Sequence, residues 1–236
     1  MAQQIKCECQ LCPARLLSVF HTLPNVQLDV FNRSKVTRKY KKGEVLFSEG
    51  DTPAGVFCIF EGQVKVFRTA GDGREKIVKI TGRGDVLGFS SLFAEESYSN
   101  SAQALEDSTI CFVDRNAFFP LLSRSPDLAM EVIKKLSRDI LVIQTHAADL
   151  GMKAADQRLA GLLLMLKETF GVQRRDGIVL SLPLSRKELA EMIGTTTETL
   201  IRLLSRFQDE GLVAIENKEI VIKDMKGLGA VSVAEA

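Results

Sequence analysis

The chain has two histidines, His21 and His146, no tryptophan and only two tyrosines among its 236 residues. Each scarcity removes a class of function. No histidine lies between residues 22 and 145. A metalloenzyme that groups two or three histidines with a carboxylate on its strands is therefore disfavoured. No Ser-His-Asp or Cys-His arrangement can be assembled either, because both histidines fall in segments that read as helical. Long apolar runs are also missing, so no membrane span is expected. The N-terminus is polar and cysteine-rich, which is not the pattern of a secretory signal; the expected location is the cytoplasm. Charge of one sign is absent too. The net charge is +1, and residues 152–236 carry 12 Lys/Arg against 12 Asp/Glu. A basic footprint, the usual first sign of nucleic-acid binding, is not there.

What is present is enough for two modest domains, with 45% hydrophobic and 26% charged residues. Glycine-centred turn signals recur through residues 36–115: Lys42-Gly43-Glu44, Glu49-Gly50-Asp51, Glu61-Gly62-Gln63, Gly71-Asp72-Gly73 and Gly82-Arg83-Gly84-Asp85. Between them lie short apolar or alternating runs at 45–47, 56–60, 64–67 and 77–80. Many short strands at this spacing predict an antiparallel sandwich or barrel.

The character changes at Ser125-Pro126, where a capping serine precedes a proline at the first helical position. The helix predicted from there runs to about Leu150. Ile133, Leu136, Ile140, Ile143, Ala147 and Leu150 recur at alternating spacings of three and four, the seam of a parallel two-stranded coiled coil. A second copy of the chain is the partner this seam implies. Another helix is predicted over 154–170, with Leu159, Leu162, Leu163, Leu166 and Phe170 inward, followed by a short strand at 178–182.

Ser185 and Glu188 have capping-box spacing, and Leu184 with Leu189 fits a hydrophobic staple. Gly194 ends that helix, and Thr195 or Thr196 caps the next. In the second helix Leu200, Leu203, Leu204 and Phe207 share one face, while Thr197, Glu198, Ile201, Arg202 and Ser205 share the other. Two short helices around a glycine turn match a helix-turn-helix. An ordinary helical hairpin with Glu198 closing a capping box on Thr195 fits the same residues. Residues 212–216 and 219–223 around Asn217-Lys218 predict a β-hairpin wing.

Gly43-Glu44-Val45-Leu46-Phe47, Glu49-Gly50-Asp51, Phe60 to Val66, Gly84-Asp85-Val86-Leu87-Gly88 and the segments 185–194 and 197–204 closely resemble the CRP/FNR family of bacterial transcription regulators. Residues 155–160 and 202–208 resemble its FNR-like branch. The resemblance spans residues 36–223 and implies an α+β fold. Its parts would be a Cys-rich segment and helix (1–35), an N-terminal β-roll like a cyclic-nucleotide domain (36–124), a dimerisation helix (125–151) and a C-terminal winged helix-turn-helix (152–236). It also implies double-stranded DNA, a second copy of the chain and RNA polymerase as partners. Thr197, Glu198 and Arg202 would read a TTGAT-like half-site in an inverted repeat, with Ile201 in place of that pattern's serine and Arg186 on a phosphate.

Cyclic AMP is the signal of some members, and the residues argue against it here. Gly88 is followed by Phe89-Ser90, and Asn100-Ser101 stands where an Arg-Ser pair would hold the phosphate. Residues 84–114 contain no Lys or Arg. A phosphodiester would find no fixed cation among them. The cysteines are the better lead. Cys7, Cys9 and Cys12 crowd the N-terminus, and Cys111 lies in a segment resembling that of the FNR branch's internal cysteine. By that resemblance the four would bind an oxygen-labile [4Fe–4S] cluster. The spacing of Cys7 and Cys9 is tighter than the family's. Zinc, a thiol redox pair, a haem on one of the two histidines, or no metal with another small-molecule effector also fit these residues. A cupin-like metalloenzyme is the remaining alternative. Cys58, within the apolar run 56–60, reads as core.

Overall fold

The computed structural model describes residues 8–71, 73, 75–181, 183–217 and 219–233. It forms two compact units, one ending at Leu141 and the other beginning at Val142. Both contribute to one long helix, so the boundary falls inside an element that the sequence reading assigned to a segment of its own.

The first unit opens with α1 (Pro13–Leu16) and α2 (Asn25–Ser34). Eight strands follow: β1 (Lys35–Tyr40), β2 (Val45–Phe47), β3 (Gly55–Glu61), β4 (Val64–Thr69), β5 (Glu75–Thr81), β6 (Val86–Leu87), β7 (Ser101–Ala104) and β8 (Ser108–Asp114), with α3 (Phe89–Ala94) between β6 and β7. They build two antiparallel sheets, ordered β1-β8-β3-β6 and β2-β7-β4-β5. Gly43, Gly50, Gly62, Gly73 and Gly84 each stand between consecutive strands with positive φ. At Gly62 the requirement is double: φ is +96°, and a Cβ would come within 2.7 Å of the Ser108 backbone.

Strand alternation divides the apolar residues of β3 and β8 between two cores. Phe57, Ile59 and Ile110 point into the roll, where they meet Phe47, Val64, Leu87 and Ala102 from the two sheets and Tyr98 from the loop before β7. Val56 and Val113 point outward, under a cap formed by the N-terminal segment, α2 and α4 (Arg115–Arg124). Leu28, Phe118 and Leu128 are fully buried in that second core. Each such side chain contributes about 1.5–3 kcal/mol.

Helix α5 (Pro126–Met152) begins as predicted, with the Ser125 hydroxyl accepting from the Leu128 amide at 3.4 Å. The second unit continues with α6 (Ala155–Phe170), β9 (Gly171–Arg174), β10 (Gly177–Leu180), α7 (Arg186–Met192), α8 (Thr197–Asp209), β11 (Val213–Glu216), β12 (Glu219–Ile222) and α9 (Met225–Val233). Its sheet has the order β11-β12-β10-β9, so the predicted wing hairpin pairs through β12 with β10. Asn217 makes the wing turn with φ +50°, a left-handed conformation that asparagine tolerates. Among the described residues no helix is long and apolar enough to cross a membrane.

Candidate DNA-reading helix and thiol cavity

The local geometry of α7 and α8 follows from their caps. Ser185 Oγ accepts from the Glu188 amide at 3.2 Å, and Glu188 Oε2 accepts from the Ser185 amide at 2.8 Å. Gly194 takes φ +64° and turns the chain out of α7. Thr196, not Thr195, caps α8, its hydroxyl accepting from the Thr199 amide at 3.2 Å. Glu198 is therefore not the third helical residue of a capping box and lies exposed in the first turn. Backbone donation at its own amide and the Thr196 hydroxyl hold its carboxyl below the ordinary glutamate range. It is a charged acceptor at neutral pH.

Leu200, Leu204 and Phe207 are buried, which turns the opposite face of α8 to solvent. Glu198, Ile201, Arg202 and Ser205 are exposed there, with Thr197 half-buried at the start of the row. Side chains three and four residues apart form one continuous strip. Arg186 does not share it. It stands at the start of α7, half-buried, and burial lowers its pKa. Two contacts from α6 brace the motif. Arg158 Nε donates to the Ile193 carbonyl at the end of α7 (2.7 Å), and Asp156 pairs with Arg206 of α8 at 2.6 Å.

The predicted seam on α5 is unevenly exposed. Ile133, Ile140 and Ile143 are each more than half exposed, alongside Leu141 and Val142. Ala147 is exposed as well. Leu136 is half-buried against the outer core of the first unit, together with the fully covered Leu128 and Val132. Leu150 is half-buried, and its Cδ2 lies 3.1 Å from where a Cβ on Gly194 would stand. Those two seam positions are thus partly used within their own units.

The cysteines converge. Cys9, Cys12, Cys58 and Cys111 line one cavity of about 30 Å³ with Lys35 and Phe20. None of the four is in a disulfide. Cys7 lies outside the described residues. Lys35 Nζ donates to Cys9 Sγ at 3.0 Å, and Thr37 Oγ1 is 3.4 Å from Cys111 Sγ. Burial raises the Cys9 pKa against the opposing pull of Lys35, and burial pushes Cys58 well above its ordinary value. Thiol donors around one cavity suit thiolate ligation by their chemistry. Among the described residues, however, no three His, Cys, Asp or Glu stand close enough to hold a metal ion as they are placed. A metal-bound state therefore needs these thiols to be rearranged. The apolar run 56–60 predicts Cys58 in the core. It does pack against the outer core, and it also faces the thiols, which only the pairing of β3 with β8 reveals.

Where a cyclic nucleotide would meet the roll, Phe89 is buried in the outer core and Asn100 donates to the Ser99 hydroxyl at 3.0 Å. Ser101 Oγ accepts from the Glu49 amide at 2.9 Å. Inside the roll, the rings of Phe47 and Tyr98 stack at 4.0 Å.

A family model for the cyclic nucleotide-binding domain matches residues 37–125, and one for the Crp-like helix-turn-helix domain matches 157–231. Electron transport regulator A of Shewanella oneidensis is 32% identical over 217 residues, covering 92% of this chain and 86% of that protein. Transcriptional activator protein FnrA of Stutzerimonas stutzeri is 33% identical over 195 residues, covering 83% and 80%. The solved structure of FixK2 from Bradyrhizobium japonicum superposes with a TM-score of 0.76 at 24% identity, covering 86% of this chain and 99% of that one.

Proposed function

Since this chain belongs to the CRP/FNR family of DNA-binding transcription regulators, in its FNR-like branch, we propose that it is a homodimer whose operator binding follows cellular oxygen or redox state through its N-terminal thiols. The observation that carries this reading is the gathering of Cys9, Cys12 and Cys111 around one cavity, although they come from opposite ends of the sensor unit. Bound there by Cys7, Cys9, Cys12 and Cys111, an iron–sulfur cluster would supply an oxygen-labile tie between the N-terminal segment and β8.

The chain's own residues supply the rest. The N-terminal segment shares its core with Leu128 and Val132, the first buried turns of α5. Lys79 of β5 pairs with Asp139 at 2.8 Å, and Lys135 bridges Asp85 and Asp139 at 3.2 and 3.1 Å. Rearrangement of the thiol cap is therefore felt by the half of α5 that carries Ile133 and Ile140. A coupling of about 1–3 kcal/mol there shifts a dimer constant by roughly 5- to 150-fold.

A two-fold dimer presents two copies of α8 to successive turns of the major groove, which calls for an inverted repeat. Arg202 can donate two hydrogen bonds to a guanine and Glu198 can accept from a cytosine or adenine amino group; Ile201 suits a thymine methyl. These roles fit TTGAT-like half-sites, with RNA polymerase as the downstream partner. Cyclic AMP is not the signal in this reading, which rests on Phe89, Asn100 and the missing cation.

The test is operator binding by anaerobically purified protein, before and after exposure to air. Air should weaken binding and release iron. Arg202→Ala should weaken specific binding by about 1–3 kcal/mol and relax selection at the guanine. Colourless protein, dimeric and bound to its operator regardless of air, would sink the redox reading.

A further inference from the structure

We infer that Cys58 is a ligand of the sensor centre alongside Cys9, Cys12 and Cys111. The inference rests on the redox reading above and adds Cys58 to the residues that carry it. In the register of the first sheet, Cys58 is the direct partner of Cys111, and Cys111 is in turn the partner of Thr37. Thr37, Cys111 and Cys58 thus lie in one row across β1, β8 and β3. Directly opposed residues on antiparallel strands share a face, with Cβ atoms roughly 4.5–5.5 Å apart. The face is identified independently: Cys58 packs against the core that contains Cys9, and all four cysteines line the same cavity.

The remaining pair is suited to close on that row. Cys9 and Cys12 are separated by two residues, a spacing that lets both thiolates of one turn reach a single centre. The segment from Cys9 to Leu11 is a single short turn, tied to α2 by the Cys9 amide donating to Asn32 Oδ1 at 3.2 Å. Turning Cys9 and Cys12 inward therefore disturbs little secondary structure. Lys35, already donating to Cys9, supplies a cation beside the negative charge that four thiolates bring.

Full-length protein, reduced and without oxygen, is titrated with cobalt(II) alone, reading the thiolate-to-cobalt charge-transfer bands. Separately it is reconstituted with iron and sulfide, and bound iron and sulfide are measured per chain. Cys58→Ala should lose the cluster and weaken cobalt binding by more than the roughly 10- to 100-fold typical of a residue outside the ligand set. Thermal unfolding of each apo variant reports whether the roll has folded, and Cys58→Ser is the second variant if alanine loosens the sheet. Retention of cobalt and iron by folded Cys58→Ala overturns the inference and leaves the redox reading standing. Wild-type protein that takes up neither cobalt nor iron overturns both.

Discussion

Helices α5 and α8 use their apolar residues in opposite ways. In α8 the apolar face is consumed inside its own unit, where Leu200, Leu204 and Phe207 are buried, and the exposed strip is mostly polar. In α5 the covering stops partway. Leu128 and Val132 are buried, but Ile140, Leu141, Val142 and Ile143 stand exposed in succession. Where the fold covers an amphipathic helix, the residues left outside are available to read something polar. Where it leaves apolar residues bare, those residues are the surface through which the proposed dimer would pair.

That contrast can be broken experimentally. Ile143→Ala should have the largest effect, on association alone. Losing the burial of one isoleucine on each side of a symmetric seam weakens the dimer by about 5 kcal/mol. Unfolding of the separated chain should shift by no more than about 0.5 kcal/mol, as for other surface changes. Sedimentation equilibrium beside thermal unfolding checks both; an unchanged dimer constant would show that α5 pairs elsewhere. Phe207→Ala should do the reverse and lower the stability of the second unit by about 3–5 kcal/mol, read by denaturant unfolding.

The smallest effect sharpens the picture of α8. Hydrogen bonding from Arg206 holds the Asp156 carboxyl below the ordinary aspartate range. Its contribution is fully present above that ordinary range and is lost as pH falls through the depressed value. Arg206 is about half exposed, so solvent screening limits the pair to about 0.2–1 kcal/mol. Asp156→Asn should remove that part of the acid sensitivity of the second unit. An identical pH profile for the variant would mean the pair contributes nothing.

Much of this architecture is legible in the sequence where the signals are local. The glycines at 43, 50, 62, 73 and 84 mark turns because few other residues accept their φ. Ser185, Glu188 and Gly194 mark α7 because capping is settled within four residues. Helices α4 and α9 carry weaker local signals: a proline lies inside α4, and α9 contains two glycines within Met225–Val233. The uneven use of the seam was not legible, since Leu136 and Leu150 meet neighbours distant in the chain. Nor was the place of Cys58. Alternation within Val56–Phe60 assigns it a face, but what covers that face depends on pairing with β8, far along the chain.

Pairing through the bare ribbon on α5, as proposed, also sets how the protein responds to its own abundance. Two α8 helices can be laid on an inverted repeat only by paired chains. While unpaired chains predominate, the number of competent pairs rises with the square of the chain's concentration, so doubling synthesis raises it about fourfold. On the proposed pairing through Ile133, Ile140 and Ile143, copy number becomes an input to the promoter, set by the rates at which the chain is made and degraded.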